Sequence, residues 1–590
     1  MYVESRTLTT SDGTQLYNVI AKPKKDGKYP TLLIFSPYCK RYKEAVTPEN
    51  WRKLNPFLNN FYYRWDKLVD EGYVIVYQHV RGRGNSTDNS GKWMYIRNQD
   101  SDNFETMKWL RKQDFYNGEI FRWGGSYPSA MVFEDLYRDY PDLKGIIASV
   151  PVPYFYRVHM KNGFFKTGMM GLFYGIFTRS KICNSGSWRH FPQREWPELL
   201  FGGAKPEMDD CFAHPDENDP FWREQGDSFR NYALFKNYKI PTLFITSWYD
   251  HSVGVTMGVW DTIPEETRKN CAMIITAGGH SLHLMDKDVW PFNMQGSTVH
   301  DASPKFMENW LNHLRGKEPL EFVKSGTVTS FPECGNNIWY QEDRFSNGET
   351  SHTLYLNADR SLGEIPGEVS GITYMYDPYN PAEFYGGGGE MEPGYVRPGT
   401  EKENILLVGL TPQDKPNWRQ DVISFVGNPF EENLSLKGRM SADVYVKSDC
   451  EDTCFYARVY IIKDGITYML RDDITSLCYH EKNYIPGKET KVHFDFHPMA
   501  WNLKKGDLLR IDISSSCYPL YSVHTNVKGS QCDVERPKVA HNTVICGKSS
   551  LTYQSTAYAD DDYTKIWIEN RPHDNDDEYK AYQDFIHQKH

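Results

Sequence analysis

Short β-type runs alternate with helical patterns in the first 150 residues and again from about residue 240 to 345, and this alternation constrains the fold most strongly. Strand-type runs lie at residues 31–35, 74–78, 242–246 and 272–277, and helical patterns lie at residues 103–111, 131–139 and 304–314. Strands that alternate with helices at this spacing predict a mostly parallel sheet with helices on its faces. We therefore expect an α/β core in two parts, residues 1–150 and 240–345.

The segment between these two parts, residues 151–239, has a different texture. It is rich in large apolar side chains without a strand period: Phe164, Phe165, Met169, Met170, Phe173, Tyr174, Trp188, Trp196 and Trp222. We expect a mainly helical insertion, and an aromatic insertion between the halves of a sheet suits a cap over a ligand site. The alternative is that these side chains build the core of the insertion itself.

From about residue 346 onwards the pattern is one of strands and turns. Alternating runs lie at residues 353–356, 441–447, 455–462, 491–496 and 508–514. Short strands with frequent turns and little helix are typical of a β-sandwich or jelly roll. Residues 346–590 are therefore predicted to form a second, all-β domain.

Charge and cysteine content limit the partners and the compartment. The 590 residues carry a formal net charge of −11, which disfavours a nucleic-acid-binding protein because such proteins present a basic face. No apolar run approaches the ~20 residues that a membrane-spanning helix needs, and no signal segment opens the chain. Eleven scattered cysteines favour free thiols in a reducing compartment. We expect a cytoplasmic protein without membrane partners, and the sequence leaves a homo-oligomer open.

The segment 120–128, Ile-Phe-Arg-Trp-Gly-Gly-Ser-Tyr-Pro, carries the most informative motif. A β-type run leads into Gly124 and Ser126, and an apolar helical pattern follows. This is the setting of a nucleophile elbow, a tight strand-to-helix turn that exposes a serine hydroxyl. Gly124 fits such a turn because the turn crowds the backbone. The general pattern has a second glycine where Pro128 stands here, so a glycine-rich turn with an incidental serine is the alternative.

A serine hydroxyl is a poor nucleophile unless a base takes its proton, so a histidine and a carboxylate that orients it are required. In α/β-hydrolases these residues follow in the order Ser, Asp, His, each just after a strand. Asp250 closes the strand-type segment 242–250, and His280 closes the segment 272–280. The order and the strand-end positions together predict a triad of Ser126, Asp250 and His280.

These segments resemble the cocaine esterase and X-prolyl dipeptidyl-peptidase-like family of serine hydrolases, in which a Gly-x-Ser-Tyr elbow, a Gly-Trp-Tyr-Asp segment and a Gly-Pro-Trp-x-His segment carry the triad. The likeness extends over nearly the whole chain. It includes segments 11–16 and 36–40, the Arg-Gly-Arg-Gly-Asn-Ser loop at 81–86, and segments 501–507 and 514–519. The resemblance implies an α/β-hydrolase core, an inserted helical cap and a C-terminal jelly roll, and it implies no cofactor.

The sequence departs from the family pattern in four ways. Ser129 stands where the family has glycine three residues after the nucleophile, and Ser247 replaces the glycine that opens the aspartate segment. The histidine segment, Ala-Gly-Gly-His at 277–280, lacks the family's Pro-Trp, and His79 replaces the aspartate before Val-Arg-Gly-Arg-Gly. None of these changes removes a triad residue. Together, however, they indicate a divergent branch of the family, and we expect it to have its own substrate.

Tyr38 is a second catalytic candidate. In similar enzymes a tyrosine at this Pro-Tyr position donates its hydroxyl to the tetrahedral oxyanion, and the other donor is the backbone N–H after the nucleophile, here that of Tyr127. Two preorganised donors aimed at the developing charge are what acyl transfer requires. The alternative is that Tyr38 merely packs. His280 and His283 lie three residues apart without a zinc signature, so no metal site is expected.

We predict a metal-independent serine hydrolase that cleaves ester or amide bonds of small acyl substrates through an acyl-enzyme intermediate. The alternative enzyme is a dipeptidyl-peptidase that releases N-terminal dipeptides, and a rival of another class is a carbohydrate- or protein-binding module. Amino-ester hydrolases that resemble this chain carry two acidic residues at the second and third positions after the triad aspartate. Ser252 and Val253 stand there in this chain. We therefore expect uncharged acyl groups, bound in a pocket lined by aromatic side chains of the insertion.

Overall fold

The computed structural model describes residues 1–39, 41–51, 65–88, 99–151, 155–170, 188–203, 206–224, 234–280, 299–320, 323–334, 339–387 and 409–558. Two large sheets account for most of the regular structure in these ranges. None of the helices found there is long and apolar enough to cross a membrane.

The first sheet begins with an antiparallel strand pair and continues into buried central strands. The elements up to residue 150 are β1 (Tyr2–Thr9), β2 (Gln15–Lys22), β3 (Tyr29–Ser36), α1 (Trp65–Asp70), β4 (Val74–His79), α2 (Gln99–Leu110), β5 (Tyr116–Gly125), α3 (Tyr127–Met131) and β6 (Leu143–Ser149). All six residues of β4 are buried. Continuous apolar runs of this kind are typical of parallel strands that are covered on both faces.

The insertion follows, and its described elements are mostly short helices. They are α4 (Phe155–His159), β7 (Met160–Lys161), β8 (Phe164–Phe165), a 3₁₀ helix at Gln193–Glu195, α5 (Trp196–Phe201), α6 (Pro206–Ala213), α7 (Pro220–Glu224) and a 3₁₀ helix at Leu234–Asn237. The strands β7 and β8 form a separate antiparallel ribbon, which the sequence pattern did not predict.

The chain then returns to the first sheet and completes it. The elements are β9 (Thr242–Tyr249), α8 (Val253–Thr262), α9 (Glu265–Arg268), β10 (Ala272–Gly279), α10 (Val299–Leu314), β11 (Val328–Ser330) and β12 (Tyr340–Glu342). The strand order is β1-β2-β4-β3-β5-β6-β9-β10-β11-β12, and every neighbouring pair from β4 to β11 is parallel. The predicted parallel sheet is confirmed, and the four predicted strands each lie within an observed one.

The second sheet has 14 strands and a short helix. Its elements are β13 (Thr350–Leu356), β14 (Ser361–Gly363), β15 (Ser370–Tyr376), β16 (Pro412–Gln413), β17 (Ile423–Gly427), β18 (Leu434–Gly438), β19 (Ser441–Ser448), β20 (Cys454–Lys463), β21 (Ile466–Ser476), α11 (Leu477–His480), β22 (Thr490–Asp495), β23 (Met499–Leu503), β24 (Leu508–Ser514), β25 (Ala540–Cys546) and β26 (Ser550–Ala557), with a 3₁₀ helix at Gln531–Asp533. The sheet is mixed, because β14 and β17 pair in parallel while the other pairs are antiparallel. In β19 buried and half-buried residues alternate strictly, as expected for a strand with one face on the core.

Contacts with β21 bring the three parts of the chain together. Glu333, which follows β11, forms a buried ion pair with Arg471 on β21, with an Oε2–Nη1 distance of 3.0 Å. The hydroxyl of Tyr249 at the end of β9 donates to the carbonyl of Met469 at 3.0 Å. From the insertion, Asn162 donates to the carbonyl of Ile474 at 2.8 Å. The strand β21 therefore contacts both the carboxyl end of β9 and the insertion.

The helix predicted at residues 131–139 is wrong. The helix α3 ends at Met131 and is followed by turns. Side chains donate hydrogen bonds to the carbonyl groups that would accept backbone N–H groups if the helix continued. Asn103 donates to the carbonyl of Met131 at 2.7 Å, and Arg122 donates to that of Val132 at 2.9 Å. Arg122 also pairs with Asp135 at 2.5 and 3.0 Å, and neither side chain is exposed. A buried ion pair thus fixes the turns behind the strand that leads to Ser126.

We expect Asp135→Ala to lower the free energy of unfolding by about 3–5 kcal/mol, because it leaves the Arg122 charge buried and unpaired. Asp114, which pairs with Arg6 and has a side chain that is 66% exposed, is the matched control. Asp114→Ala should cost about 1 kcal/mol or less. Urea unfolding followed by circular dichroism measures both variants, and equal stabilities would contradict a structural role for the buried pair.

Candidate active site

Ser126 lies in a tight turn between β5 and α3. Its backbone has φ 61° and ψ −130°, a left-handed conformation that costs a serine roughly 1–3 kcal/mol. The backbone N–H of Ser126 donates to the carbonyl of Ser149 at the end of β6, at 3.0 Å. A Cβ atom on Gly124 would lie 2.3 Å from the carbonyl oxygen of Pro128, so only glycine fits this position. The predicted strand–turn–helix elbow is therefore present, and Pro128 is accommodated within it.

The three predicted triad side chains form a hydrogen-bonded chain. Ser126 Oγ lies 2.7 Å from His280 Nε2, and His280 Nδ1 lies 3.1 Å from Asp250 Oδ1. Ser126 follows β5, Asp250 follows β9 and His280 follows β10. Because β5, β6, β9 and β10 are neighbouring parallel strands, the three residues meet at one edge of the sheet.

Asp250 is buried and firmly held. Its Oδ1 accepts the backbone N–H of Ser252 at 2.9 Å, and its Oδ2 accepts the hydroxyl of Thr246 at 3.3 Å. Burial raises the pKa of Asp250, but the charge of His280 and its hydrogen bond outweigh burial and lower the pKa to about 2. This stabilisation of the folded protein exists above the ordinary aspartate pKa of about 3.9 and is lost as the pH falls toward 2. Asp250 is thus a carboxylate at neutral pH.

Three of the departures from the family pattern have structural explanations. Ser129 is buried, and its hydroxyl donates to the carbonyl of Ser126 within the elbow. The hydroxyl of Ser247 pairs with that of Thr276 at 2.8 Å and links β9 to β10. His79 is buried, and burial lowers its pKa to about 3, so it is a neutral ring whose Nδ1 accepts the backbone N–H of Asn85. All three side chains support the backbone around the site.

The two predicted oxyanion donors lie at the same edge of the sheet. Tyr38 follows β3, which pairs with β5 in a register that puts Ile34 opposite Trp123. Tyr38 and Ser126 therefore stand at similar distances beyond the ends of two neighbouring strands. Tyr38 is half-buried, and its backbone N–H donates to Ser36 Oγ at 3.2 Å. Tyr127 is buried as the first residue of α3.

A cavity adjoins Asp250 at the junction of the three parts of the chain. The insertion contributes Lys166, the end of β9 contributes Asp250 and His251, and the second sheet and its loops contribute Asp472 and His497. Lys166 donates to the carbonyl of Arg157, and burial together with the charges of Lys161 and Arg157 lowers its pKa to about 7. Asp472 accepts the hydroxyl of Tyr456 at 2.8 Å. The charged side chains that line the cavity are Lys161, Lys166, Arg471, Asp250 and Asp472, and Lys166 and Asp472 do not form an ion pair with each other in the described structure.

Comparison with known proteins gives the family. The X-Pro dipeptidyl-peptidase (S15 family) pattern matches residues 12–282, and the X-Pro dipeptidyl-peptidase C-terminal non-catalytic domain matches residues 316–553. Cocaine esterase of Rhodococcus sp. (strain MB1 Bresler) is 23% identical over 569 residues, which are 88% of this chain and 91% of the esterase. The chain belongs to the cocaine esterase and X-Pro dipeptidyl-peptidase-like family. It is a serine hydrolase, as the sequence predicted.

Solved structures share this fold over 94% of the chain. An aminopeptidase from a Thaumarchaeota archaeon and an α-amino acid ester hydrolase each give a TM-score of 0.71 at 18% identity, with 96% of their own chains covered. A CocE/NonD family hydrolase from Staphylococcus aureus gives a TM-score of 0.63 at 17% identity, with 93% covered. A hydrolase domain followed by a non-catalytic β-rich domain is therefore the architecture of this family member.

None of the described aromatic side chains of the insertion lines this cavity, which differs from the expectation. Phe165, Trp188 and Trp196 are buried and pack on one another, with ring centroids 5.0 to 6.3 Å apart. The alternative that they form the insertion's own core is confirmed for these three. Phe173 and Tyr174 lie outside the described residues, as does His283. The insertion instead contributes Lys161, Lys166 and Met169 to the cavity.

Sequence reasoning missed the other cavity residues for two different reasons. His251 directly follows Asp250, so its position after the same strand end was a signal that could have found it. Asp472 and His497 come from strands and loops more than 200 residues farther along the chain, and their alternating patterns gave no sign of a site. Lys166 lay in a segment whose pattern showed only apolar content.

Proposed function

We propose that this family member hydrolyses ester or amide bonds of small acyl substrates through an acyl-enzyme on Ser126. The observation that carries the proposal is the continuous contact from Ser126 Oγ through His280 to Asp250 at one edge of the sheet. An elbow that exposes the serine, a histidine within hydrogen-bond distance and a buried carboxylate behind that histidine are the parts that acyl transfer needs.

The proposed reaction has two steps. Ser126 Oγ attacks the carbonyl carbon while its proton passes to His280 Nε2, and His280 then gives that proton to the leaving alcohol or amine. Asp250 holds the proton on Nδ1 and stabilises the imidazolium. Water, activated by the same histidine, attacks the acyl-enzyme and releases the acid. Tyr38 and the backbone N–H of Tyr127 are the proposed donors to the tetrahedral oxyanion.

We assign the parts of the chain on the same basis. Residues 1–150 and 240–345 would be the α/β-hydrolase core, residues 151–239 a helical cap, and residues 346–590 a jelly roll. These assignments are supported by the contact of Tyr249 with the second sheet and by the cavity that Lys166 of the insertion lines together with Asp250, because both parts then border the triad. We further propose, on the grounds of composition, a cytoplasmic enzyme that acts on a small molecule or short peptide without a metal or cofactor.

A second candidate is the release of N-terminal dipeptides, and Asp472 is the observation that favours it. An ammonium group on the substrate needs a carboxylate near the site, because an unpaired buried charge is costly. The positions after Asp250 supply none, since Ser252 and Val253 stand there. Asp472 on β21 adds a carboxylate to the lining of the cavity, although Lys166 disfavours a second cation nearby.

The triad should behave as a unit. We expect Ser126→Ala and His280→Ala each to reduce kcat by several orders of magnitude, and the double variant to be little worse than either, because all the residues act in one step. Asp250→Asn should also be severe, since it favours the wrong imidazole tautomer. Steady-state hydrolysis of a p-nitrophenyl ester measures all four. More than a tenth of wild-type turnover in Ser126→Ala would refute the assignment.

Tyr38→Phe tests the oxyanion role. Loss of one oxyanion donor costs roughly 2.7–4 kcal/mol of transition-state stabilisation. We therefore expect kcat to fall about 100- to 1,000-fold with little change in KM or in melting temperature. Tyr29→Phe is the control. Tyr29 is the first residue of β3, at the end of the strand away from Tyr38, and its hydroxyl donates to the carbonyl of Lys25. Activity losses that only follow losses of thermal stability would instead mean that Tyr38 merely packs.

Substrate preference separates the two candidates. We expect kcat/KM for a short uncharged p-nitrophenyl ester to exceed that for Ala-Pro p-nitroanilide on the same preparation. If Asp472 binds an ammonium, Asp472→Asn should lower only the anilide activity, whereas Asp464→Asn, an exposed acid at the turn before β21, should change neither. A larger kcat/KM for the anilide, lost on N-acetylation and in Asp472→Asn, would establish the peptidase.

A further inference from the structure

His251 lies against the triad but has no part in the proposed mechanism. Its ring stacks on that of His280, with centroids 4.7 Å apart and planes inclined by 29°. Its Nδ1 lies 3.5 Å from Asp250 Oδ1, and its side chain is only 9% exposed. Neither ring nitrogen has a hydrogen-bond partner among the described residues. Burying an imidazole without hydrogen bonds to its two nitrogens costs free energy. A ligand of the His251 ring other than the described side chains would offset this cost.

The distances between the nitrogen and oxygen atoms around Asp250 are close to those between the ligand atoms of a metal ion. His280 Nδ1 and His251 Nδ1 lie 3.1 and 3.5 Å from the same carboxylate oxygen. The ligand atoms of the three residues all lie within 4.8 Å of one another. Zinc bound by nitrogen and oxygen at about 2.0–2.1 Å in a tetrahedron has ligand atoms about 3.3–3.4 Å apart. The two measured separations lie on either side of the tetrahedral value, so small movements of the side chains would bring them to zinc coordination.

We propose that Asp250, His251 and His280 form an inhibitory Zn²⁺ site. The proposal rests on the proposed function, because it uses two residues of the triad. Two imidazoles and a carboxylate are a donor set that zinc prefers, and a fourth position is left for water. That position would open into the cavity, which Asp250 and His251 both line. The backbone N–H of Ser252 and the hydroxyl of Thr246 already orient the carboxylate, as groups behind a metal ligand commonly do.

Zinc at this place would stop the reaction through the histidine tautomer. In the active arrangement His280 carries its proton on Nδ1 and offers the Nε2 lone pair to Ser126. When Nδ1 binds zinc, the neutral ring must carry its proton on Nε2 instead, so the proton moves from one nitrogen to the other and none is gained or lost. Nε2 then has no lone pair with which to accept the Ser126 proton. Asp250 is engaged by the metal at the same time.

The choice of metal follows from the ligands. Mg²⁺ and Ca²⁺ prefer oxygen ligands and larger coordination numbers, so a site with two nitrogens should not bind them well. Zn²⁺ should therefore inhibit the enzyme where millimolar Mg²⁺ or Ca²⁺ does not.

The test is p-nitrophenyl ester hydrolysis by the full-length enzyme at buffered free Zn²⁺ concentrations, after treatment with a chelator. We expect inhibition that the chelator reverses. In His251→Phe, which keeps a ring to stack on His280, the concentration for half-inhibition should rise roughly tenfold or more relative to that variant's own zinc-free rate. His493→Phe is the matched control, because this exposed histidine also contacts an aspartate, Asp443, at 2.7 Å. It should stay as sensitive as the wild type.

A binding measurement separates this proposal from the triad assignment. Ser126 is not a ligand, so Ser126→Ala should bind one Zn²⁺ in competition with a chromophoric chelator although it is inactive. If zinc binds neither the wild type nor Ser126→Ala, or if His251→Phe and His251→Gln are as sensitive as the wild type, the zinc site is refuted while the triad stands. If Ser126→Ala stays active, the triad fails whatever zinc does. His251→Gln serves if the phenylalanine variant does not fold.

Discussion

The strained turn at Ser126 is the constraint on which the rest of the site depends. A serine with positive φ is unfavourable on its own, so its surroundings must hold it in place. Two features support the turn. The strand β5 is held between β3 and β6 in the sheet, and the buried Arg122–Asp135 ion pair fixes the turns that follow α3. Gly124 leaves the space that the returning backbone fills. The geometry thus presents the Ser126 hydroxyl at a fixed point toward His280.

The strand ends explain why so much of the site could be predicted. Apolar β-type runs mark buried parallel strands clearly, and the residue just after each run must lie at the carboxyl edge of the sheet. Asp250 and His280 were found in this way, and the structure puts them within hydrogen-bond distance of each other. The resemblance to similar enzymes indicated Tyr38, and the structure puts this residue just after β3, the strand that pairs with β5. The roles of these residues remain predictions that rest on chemistry.

What could not be predicted depends on contacts between distant segments. The helical pattern at residues 131–139 was overridden because Asn103 and Arg122 take its carbonyl groups, and a local pattern does not contain that information. The cavity combines Lys166 with Asp472, which are separated by some 300 residues and meet only through tertiary packing. Phe165, Trp188 and Trp196 of the insertion pack on one another, and composition gave no sign that Lys161, Lys166 and Met169 line the cavity. The lining of this cavity is therefore a feature that the sequence pattern does not reveal.

The most direct test of the account is covalent labelling with a fluorophosphonate, followed by intact-mass measurement and peptide mapping. The account predicts one adduct per chain on the peptide that contains Ser126, no adduct in Ser126→Ala, and much slower labelling in His280→Ala because the hydroxyl then lacks its base. An adduct on another residue, or equal labelling of wild type and Ser126→Ala, would contradict the assignment of Ser126 as the nucleophile.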